Sequence, residues 1–152
     1  MSMDFEQHAA TANQFVRLVS EELGVSLKMA GKIIRAVFHA LRNRISHEDS
    51  FQLMAQLPMA LKGVYADGWK FNTDYLHIGV VNDFIEEIKQ EDGRLSGYDF
   101  SDPLKGGTAI AIVFKALNYL ITDEEMNDII SVMSPALKIF IKEKMIGEGI
   151  VL

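Results

Sequence analysis

The sequence predicts an all-α protein, a compact helical bundle made of two tandem three-helix repeats. Three observations predict it. Apolar residues recur three and four positions apart over most of the chain, which is the periodicity of amphipathic helices. A 27-residue stretch is repeated 76 positions later, and residues that favour helix ends fall at corresponding places in the two copies. No segment reads convincingly as a β-strand.

The repeat relates residues 36–62 to residues 112–138 without a gap. Nine of these 27 positions are identical, whereas unrelated sequences would share about one or two. Because each repeat alone has a small core, we expect a single domain over residues 1–152, built of repeats at about 4–69 and 73–145. The identical positions, mostly apolar, are Val37, Phe38, Ala40, Leu41, Ile45, Glu48, Ala60, Leu61 and Lys62, which recur as Val113, Phe114, Ala116, Leu117, Ile121, Glu124, Ala136, Leu137 and Lys138.

Two amphipathic helices are predicted at the start of the chain. Gly24 is suited to end the first helix, and Ser26 is suited to cap the second. The apolar stripe of each helix is expected to face the core. The first stripe comprises Phe5, Ala9, Ala12, Phe15, Val16, Val19 and Leu23, and the second comprises Ala30, Ile33, Ile34, Val37, Phe38, Leu41 and Ile45.

The third helix of each repeat is predicted to begin at a capping residue. Ser46 followed by Asp49 resembles a capping box with the shorter acid, and Thr122 followed by Glu125 is the full form of this motif. Each repeat therefore restarts a helix at the same place.

A proline lies inside each of these third helices. Pro58 and Pro135 are predicted to kink or split them, because proline removes a backbone hydrogen bond and clashes with the preceding turn. Asp67-Gly68 is expected to end the helix of the first repeat. Its core-facing residues are expected to be Phe51, Met54, Leu57, Leu61 and Val64.

The second repeat is predicted to begin with a fourth helix at about 72–88. A glycine-rich connection from Asp92 to Gly107 follows, and it is the best candidate for a mobile loop. Pro103 suits the first position of a fifth helix that runs to about Leu120. The sixth helix is expected from Thr122 to about Lys144.

Composition indicates an ordinary globular protein of the cytoplasm. The chain is 49% hydrophobic and 24% charged, and its net charge of -6 argues against general binding to duplex nucleic acid. It has no cysteine, which excludes disulfides and thiol chemistry. The N-terminal residues lack the features of a secretory signal, and no apolar run is long enough to span a membrane.

A basic stripe on the second helix is the most suggestive local feature. Its residues are spaced four, three, four and three apart, so they are predicted to share one face opposite the apolar stripe. Such a face could dock an acidic partner, a phosphate or a nucleic-acid backbone, although a solvated helix face has the same pattern. The stripe comprises Lys28, Lys32, Arg35, His39 and Arg42.

The turn from Tyr65 to Trp69 is the second candidate for partner binding. Aromatic residues beside a glycine could line a pocket or form an interaction hot spot. The structural alternative is that Trp69, the only tryptophan, fills the junction between the repeats while Gly68 adopts a positive φ angle.

Catalytic and metal-binding motifs are sparse. His8, His39, His47 and His77 are scattered, and none belongs to a recognisable catalytic or zinc motif. Asp74 and His77 have the spacing used in di-iron bundles, but those sites need two such motifs and further carboxylates. We therefore expect no catalytic residues, no metal and no cofactor.

Two segments, 30–45 and 55–69, resemble the signature of the bacterial domain of unknown function 2267 family. The match is specific at Gln56-Leu57-Pro58-Met59, Gly63, Tyr65 and Gly68-Trp69. The chain departs from the pattern at Ala66-Asp67, where Tyr-Glu is more typical, and at Ser134-Pro135, where Leu-Pro is usual. The resemblance covers essentially the whole chain and implies a doubled helical unit from a bacterium. It implies no activity, cofactor or catalytic residue.

Two functional hypotheses follow. The first is a non-enzymatic module that binds another protein through the basic stripe or the Tyr65 to Trp69 turn. The alternative is a small-ligand binder or enzyme with a pocket in the seam between the repeats, closed by the loop from Gly93 to Gly107. The first predicts an exposed patch, and the second predicts an enclosed cavity with histidine or carboxylate groups. Monomer and homo-oligomer both stay open.

Overall fold

A computed structural model of the protein describes residues 4–43, 45–70, 103–131, 133 and 135–147. These residues form seven α-helices and no β-strand, which confirms the all-α fold class. The predicted fourth helix and most of the glycine-rich connection lie outside the described residues. The helices are α1 (Phe5–Leu23), α2 (Leu27–Arg42), α3 (His47–Gln56), α4 (Met59–Ala66), α5 (Pro103–Asn118), α6 (Asp123–Ser131) and α7 (Pro135–Gly147).

The described helices begin at corresponding places in the two predicted repeats. Three pairs of first residues are each 76 positions apart: Leu27 and Pro103, His47 and Asp123, and Met59 and Pro135. Helices α2, α3 and α4 thus correspond to α5, α6 and α7. The counterpart of α1 falls in residues that the structure does not describe, so the division into two three-helix repeats stays a prediction.

Helices α2 and α5 are the central helices of the bundle. From Ile33 to Arg42 every residue of α2 is buried except Arg35, and the predicted apolar stripe of α2 lies in the core as expected. Residues 106–117 of α5 are buried to a similar extent. A helix buried on nearly all sides needs neighbours on all of them. One continuous core contains the buried side chains of both repeats.

The other helices surround this central pair. Helix α1 packs against α2, α4 and α5, and its Glu22 accepts a hydrogen bond from Lys115 of α5 at 3.3 Å. Helix α4 also packs against α2, and α7 packs against α5. Helices α3 and α6, which occupy corresponding places in the two repeats, contact each other. Among the described helices, the two predicted repeats therefore meet at α1 with α5, α2 with α5, and α3 with α6.

Local signals in the sequence place the helix ends correctly. Ser26 accepts a hydrogen bond from the backbone N–H of Met29 at 3.1 Å, as an N-cap should. Thr122 and Glu125 form the predicted reciprocal capping box, with backbone-to-side-chain distances of 3.0 and 3.1 Å. Gly24 ends α1 with a φ angle of 67°.

The two prolines split helices rather than bend them. Pro58 separates α3 from α4, and Pro135 begins α7, so each predicted third helix is two helices. The expected count of six main helices is therefore too low, since seven lie within the described residues alone. The predicted start of the fifth helix at Pro103 is confirmed, and the predicted loop to Gly107 therefore extends too far at its C-terminal end.

Three apolar residues predicted to face the core, Phe5, Ala9 and Phe51, are exposed. Phe5 lies in the first turn of α1 with 71% of its surface accessible, Ala9 in the next turn is exposed as well, and the first buried residue of the helix is Phe15. Phe51 is 53% exposed, whereas the preceding Ser50 is fully buried. Adjacent residues of a helix are about 100° apart, so α3 places Ser50 inward and Phe51 toward the surface.

Two glycines of the first repeat should respond oppositely to alanine. Gly63 lies inside α4 with open space around it, so Gly63→Ala should raise the free energy of unfolding by about 0.5–1 kcal/mol. Gly68 has a φ angle of +68°, so Gly68→Ala should lower it by about 1–2 kcal/mol. Urea unfolding of both variants measures this difference, and a loss of stability in Gly63→Ala would contradict it.

Candidate functional site

The first repeat contains a cluster of buried polar side chains that we call the Arg42 cluster. Its members are Arg42 and His39 on α2, Ser50 on α3 and Tyr65 on α4. Arginine and histidine are rarely buried without partners, because removing their polar groups from water is unfavourable. The contacts of each member therefore explain why it lies there.

Arg42 fastens the C-terminal end of α4 to α2. Its Nη1 atom donates hydrogen bonds to the backbone oxygens of Tyr65, at 2.7 Å, and Asp67, at 2.8 Å. The last carbonyls of a helix have no partner within the helix, and a cation is favoured at that end. Helix α4 has only 8 residues and no side-chain cap at its N-terminus, so it needs support from outside itself.

His39 completes the same helix end. Its Nε2 atom lies 2.8 Å from the backbone oxygen of Val64. Because a carbonyl oxygen can only accept, Nε2 must carry the proton and donate. Two side chains of α2, one turn apart, thus satisfy carbonyls in the last turn of α4 and beyond it.

Arg35 and Asp67 form an ion pair at the edge of the cluster. The Nη1 atom of Arg35 lies 2.6 Å from Oδ2 of Asp67, and both side chains are substantially exposed. The hydrogen bond from Arg35 and its positive charge hold the pKa of the Asp67 carboxyl below its ordinary value. Exposure limits the contribution of such a pair to stability.

Ser50 and Tyr65 share a buried hydrogen bond. The two hydroxyl oxygens are 2.7 Å apart, and both residues are fully buried. Burial raises the pKa of the Tyr65 hydroxyl well above its ordinary value, and this effect exceeds the opposing influences of Ser50 and Arg42. Tyr65 is therefore a structural hydroxyl held in its neutral form.

An aromatic surface, comprising His47, Phe51 and Trp69, lies next to the Arg42 cluster. The ring of Trp69 lies 5.7 Å from those of His47 and Phe51 and 5.8 Å from that of Tyr65, measured between centroids. The Arg42 guanidinium lies over Trp69, 5.8 Å from the ring centroid. Trp69 is thus held by the same arginine that holds the end of α4.

The corresponding positions of the second repeat have different chemistry. Ser50 and Tyr65 correspond to Met126 and Ile141, which are buried and apolar. Arg42 corresponds to Asn118. The aromatic surface corresponds to Asp123, Asn127 and Met145. The corresponding helices of the second predicted repeat therefore lack the pair of Ser50 and Tyr65 and the aromatic surface, while His39 and Arg42 correspond to the polar residues Lys115 and Asn118.

The structure separates the predicted basic stripe into two groups. Lys28 and Lys32 lie toward the surface, and Arg35 is paired with Asp67. His39 and Arg42 are only 3% and 6% exposed, so the prediction that all five lie on a solvated face is wrong for these two. The residue spacing predicted a helix with a single buried face. In the structure, the end of α4 also covers part of the opposite face of α2, where His39 and Arg42 lie. No basic residue lies in the last turn of α4. That absence is the sequence signal that could have indicated that a cation of another helix, here Arg42, binds this helix end.

The predicted Tyr65 to Trp69 turn also divides into buried and accessible parts. Tyr65 is fully buried, and Trp69 is partly buried against the core. The contacts of Trp69 with His47, Phe51 and Tyr65 lie within the first repeat, so its predicted place in the junction between the repeats stays a prediction. The positive φ angle predicted for Gly68 is confirmed. Sequence analysis missed Phe51 and His47 as neighbours of Trp69.

The described part of the chain holds neither a metal-binding cluster nor a membrane-spanning helix. No group of three or more histidine and carboxylate side chains is arranged there to hold a metal ion. The Asp74 and His77 pair lies outside the described residues. None of the helices in that part of the chain has the length and apolar character needed to cross a membrane.

The fold and the Arg42 cluster define an all-α protein in which buried polar groups fasten one helix end beside a surface of aromatic rings. The chain belongs to the DUF2267 family, described as uncharacterized conserved proteins, whose model matches residues 12–139. This match confirms the resemblance carried by residues 30–45 and 55–69. No curated protein matches the chain.

Replacing Arg42 should destabilise the protein more than replacing an exposed cation of the same helix. Arg42→Met removes two charge-assisted hydrogen bonds and leaves the carbonyls at the end of α4 without them, so we expect a loss of about 3 kcal/mol. The control Lys28→Met should change stability by less than about 0.5 kcal/mol. Chemical unfolding measures both values, and similar losses in the two variants would contradict the assigned role.

Tyr65 should make the protein less stable at alkaline pH. Its pKa is raised in the folded state, so its contribution is complete below the ordinary tyrosine pKa of about 10 and falls as the pH rises above it. One such group gives a slope of at most about 1.4 kcal/mol per pH unit. Tyr65→Phe should flatten this slope, measured by urea unfolding between pH 8 and 11. An unchanged slope in Tyr65→Phe would contradict the assigned role of this hydroxyl.

Proposed function

We propose that this protein is a non-enzymatic interaction module that binds another protein through the aromatic surface of the first repeat. The observation that carries this proposal is the exposure of Phe51, at 53%, directly beside the ring of Trp69. Exposed aromatic rings in contact with one another are typical of surfaces that become buried in a complex.

The composition of this surface supports a protein partner. Tryptophan, tyrosine and arginine are the residues most enriched among interaction hot spots, and Trp69, Tyr65 and Arg42 lie against one another here. Tyr65 and Arg42 are buried, so they support the surface from below. Phe51, His47 and the accessible part of Trp69 would contact the partner.

The Arg42 cluster gives this surface a fixed shape. Arg42 binds the backbone of Asp67, two residues before Trp69, and also lies over the Trp69 ring. A surface that is ordered before binding loses less conformational entropy when the complex forms. The buried polar contacts of the first repeat thus have a use that folding alone does not require, since the second repeat has apolar residues at the positions of Ser50 and Tyr65.

The basic residues that stay accessible offer a weaker basis for docking. Lys28 and Lys32 are two side chains of a solvated helix face, and Arg35 already has an acidic partner. Isolated surface charges change the rate of encounter more than the affinity. We therefore favour the aromatic surface over the basic stripe as the site of contact.

The alternative, a small-ligand binder with a pocket in the seam between the repeats, is favoured by one observation. A cavity lies between α3 of the first repeat and α6 of the second, with Asp49 and Asp128 in its lining. The part of its predicted closing loop from Pro103 onward is helix α5 instead.

The proposal predicts that a partner protein contacts Phe51 and Trp69. Partners captured from a bacterial lysate would be purified and titrated against the native chain and against Phe51→Ser, with Phe5→Ser as the matched control because Phe5 is exposed elsewhere. Phe51→Ser should weaken binding at least tenfold, since it removes an exposed ring from the interface, and Phe5→Ser should not. Trp69 is the only tryptophan, so its emission should shift on binding.

The opposite pattern would remove the aromatic surface from consideration. Equal affinity of the native chain and Phe51→Ser, together with unchanged Trp69 emission, would place the contact elsewhere. A charge-reversed Lys28→Glu, Lys32→Glu variant, tested in the same titration, then decides whether the basic residues carry it.

A further inference from the structure

His47 is the member of the aromatic surface whose charge can change near neutral pH. Phe51 and Trp69 carry no group that exchanges a proton there, whereas histidine changes its charge between about pH 5 and 8. The His47 ring lies 5.7 Å from the Trp69 ring, measured between centroids, and the two planes are nearly perpendicular, at 88°. A proton taken up by His47 therefore adds a positive charge beside the ring on which the proposed function depends.

The start of α3 fixes His47 in this place. The Ser46 hydroxyl accepts a hydrogen bond from the backbone N–H of Asp49 at 3.0 Å, so α3 begins at His47. Phe51 follows four residues later, which puts its side chain on the same side of the helix as His47. Both rings lie against Trp69 from there. His47 is half-buried, so part of its ring stays accessible to water.

Charged groups of α2 and α3 act on this proton in opposite directions. The Arg42 guanidinium lies over the Trp69 ring, 5.8 Å from its centroid, so a protonated His47 would be a second cation at that ring. The N-terminal end of a helix also disfavours a positive charge. Glu48 and Asp49, in the first turn of α3, favour it. Carboxyl groups ordinarily titrate near pH 4 and guanidinium groups above about pH 12, so histidine is the residue type that responds between these limits.

The turn after α4 adds no charge that changes over this range. Tyr65, whose ring lies 5.8 Å from that of Trp69, stays neutral because burial raises the pKa of its hydroxyl. Asp67 stays ionised because the hydrogen bond from Arg35 holds the pKa of its carboxyl below the ordinary value. Lys70 follows Trp69 in the sequence, and lysine keeps its proton below about pH 9.

Helix α6, which also packs on α3, meets the other side of that helix. Asp128 of α6 lines a common cavity with Asp49, Gln52 and Gln56 of α3. Successive residues of a helix are about 100° apart, so these three positions of α3 lie on the side opposite His47. The carboxylate of Asp128 is therefore separated from His47 by the body of α3.

Protonation and partner binding oppose each other at this surface. A partner that covers Phe51 and Trp69 also covers the accessible part of His47. Removing a neutral imidazole from water costs much less than removing a charged group that meets no opposite charge. By reciprocity, a partner that disfavours the proton is itself bound less tightly once the proton is present. Binding is therefore strongest above the pH range in which histidine takes up its proton, and it weakens as the pH falls through that range.

We infer that His47 is a pH switch of the aromatic surface, and that its protonation in mildly acidic solution weakens the binding of a partner that docks through apolar contacts. This inference rests on the proposed function, because it concerns the regulation of the same surface. Arg42 keeps its charge and its hydrogen bonds to the end of α4 over this pH range, so the shape of the surface is retained. The switch thus acts on charge alone.

The charge beside Trp69 can be measured in the full-length chain without a partner. Trp69 is the only tryptophan, so quenching of its emission by iodide, caesium or acrylamide reports on this surface. From pH 8 to 5.5, at constant ionic strength, the ratio of the iodide to the caesium quenching constant should rise about twofold or more, because a new cation attracts iodide and repels caesium. Quenching by neutral acrylamide should stay the same. His47→Gln should remove the rise, and the matched control His8→Gln, on α1, should retain it.

The second measurement titrates the purified partner protein at pH 7.5 and 5.5. The native chain should bind about five- to tenfold less tightly at pH 5.5, since one proton must leave on binding and each pH unit contributes at most tenfold. In His47→Gln the ratio of the two dissociation constants should be about one, whatever the affinity of this variant at pH 7.5. A pH response that belongs to the partner itself would persist in the variant.

Several results would overturn the switch. A quenching ratio that responds to pH equally in the native chain and in His47→Gln excludes a charge on His47. A response that is lost only in His39→Gln assigns the proton to the buried histidine of the Arg42 cluster. If quenching responds as expected but partner affinity is independent of pH, or higher at pH 5.5, the switch fails while the proposed function stands. Equal binding of the native chain and Phe51→Ser removes the proposed function, and the effect of His47 on the partner with it.

Discussion

The hydrogen bonds from Arg42 to the end of α4 are the interaction on which the rest of the first repeat depends. They satisfy the backbone oxygens of Tyr65 and Asp67, and the same guanidinium lies over Trp69. Helix α4 is too short to be stable by its own backbone hydrogen bonds, so its end must be held by a neighbour. Once that end is fixed, Tyr65 reaches Ser50 and Trp69 reaches Phe51.

The comparison of the two repeats separates what the fold requires from what it permits. The central helices α2 and α5 keep apolar residues at corresponding buried positions, among them Val37 and Val113, and Phe38 and Phe114. The polar pair Ser50 and Tyr65 corresponds instead to the apolar pair Met126 and Ile141. The same backbone arrangement is thus compatible with either kind of core. Because the Ser50 and Tyr65 pair is polar in only one of the two predicted repeats, we interpret it as support for the aromatic surface and not as a condition of folding.

Much of the fold could be predicted because its signals are local. Each of these signals depends on only a few adjacent residues. They are the helix starts at Ser26 and Thr122, the helix end at Gly24, and the helix breaks at Pro58 and Pro135. The site depends on contacts between distant residues, such as the 23 positions that separate Arg42 from Tyr65. Periodicity placed Arg42 opposite the apolar stripe but could not show that the end of another helix covers it. Phe51 was misplaced for a different reason, since one step along the same helix exchanges it with the buried Ser50.

The choice of arginine for this buried position has a further consequence. A guanidinium keeps its proton at every pH that a cell can reach, so acidification or alkalinisation within that range cannot release the end of α4. A lysine in its place could lose its charge on burial, and a histidine would change its charge near neutrality. The hydrogen bonds that Arg42 donates to the end of α4, and the cation over the Trp69 ring, therefore keep their charge throughout that pH range.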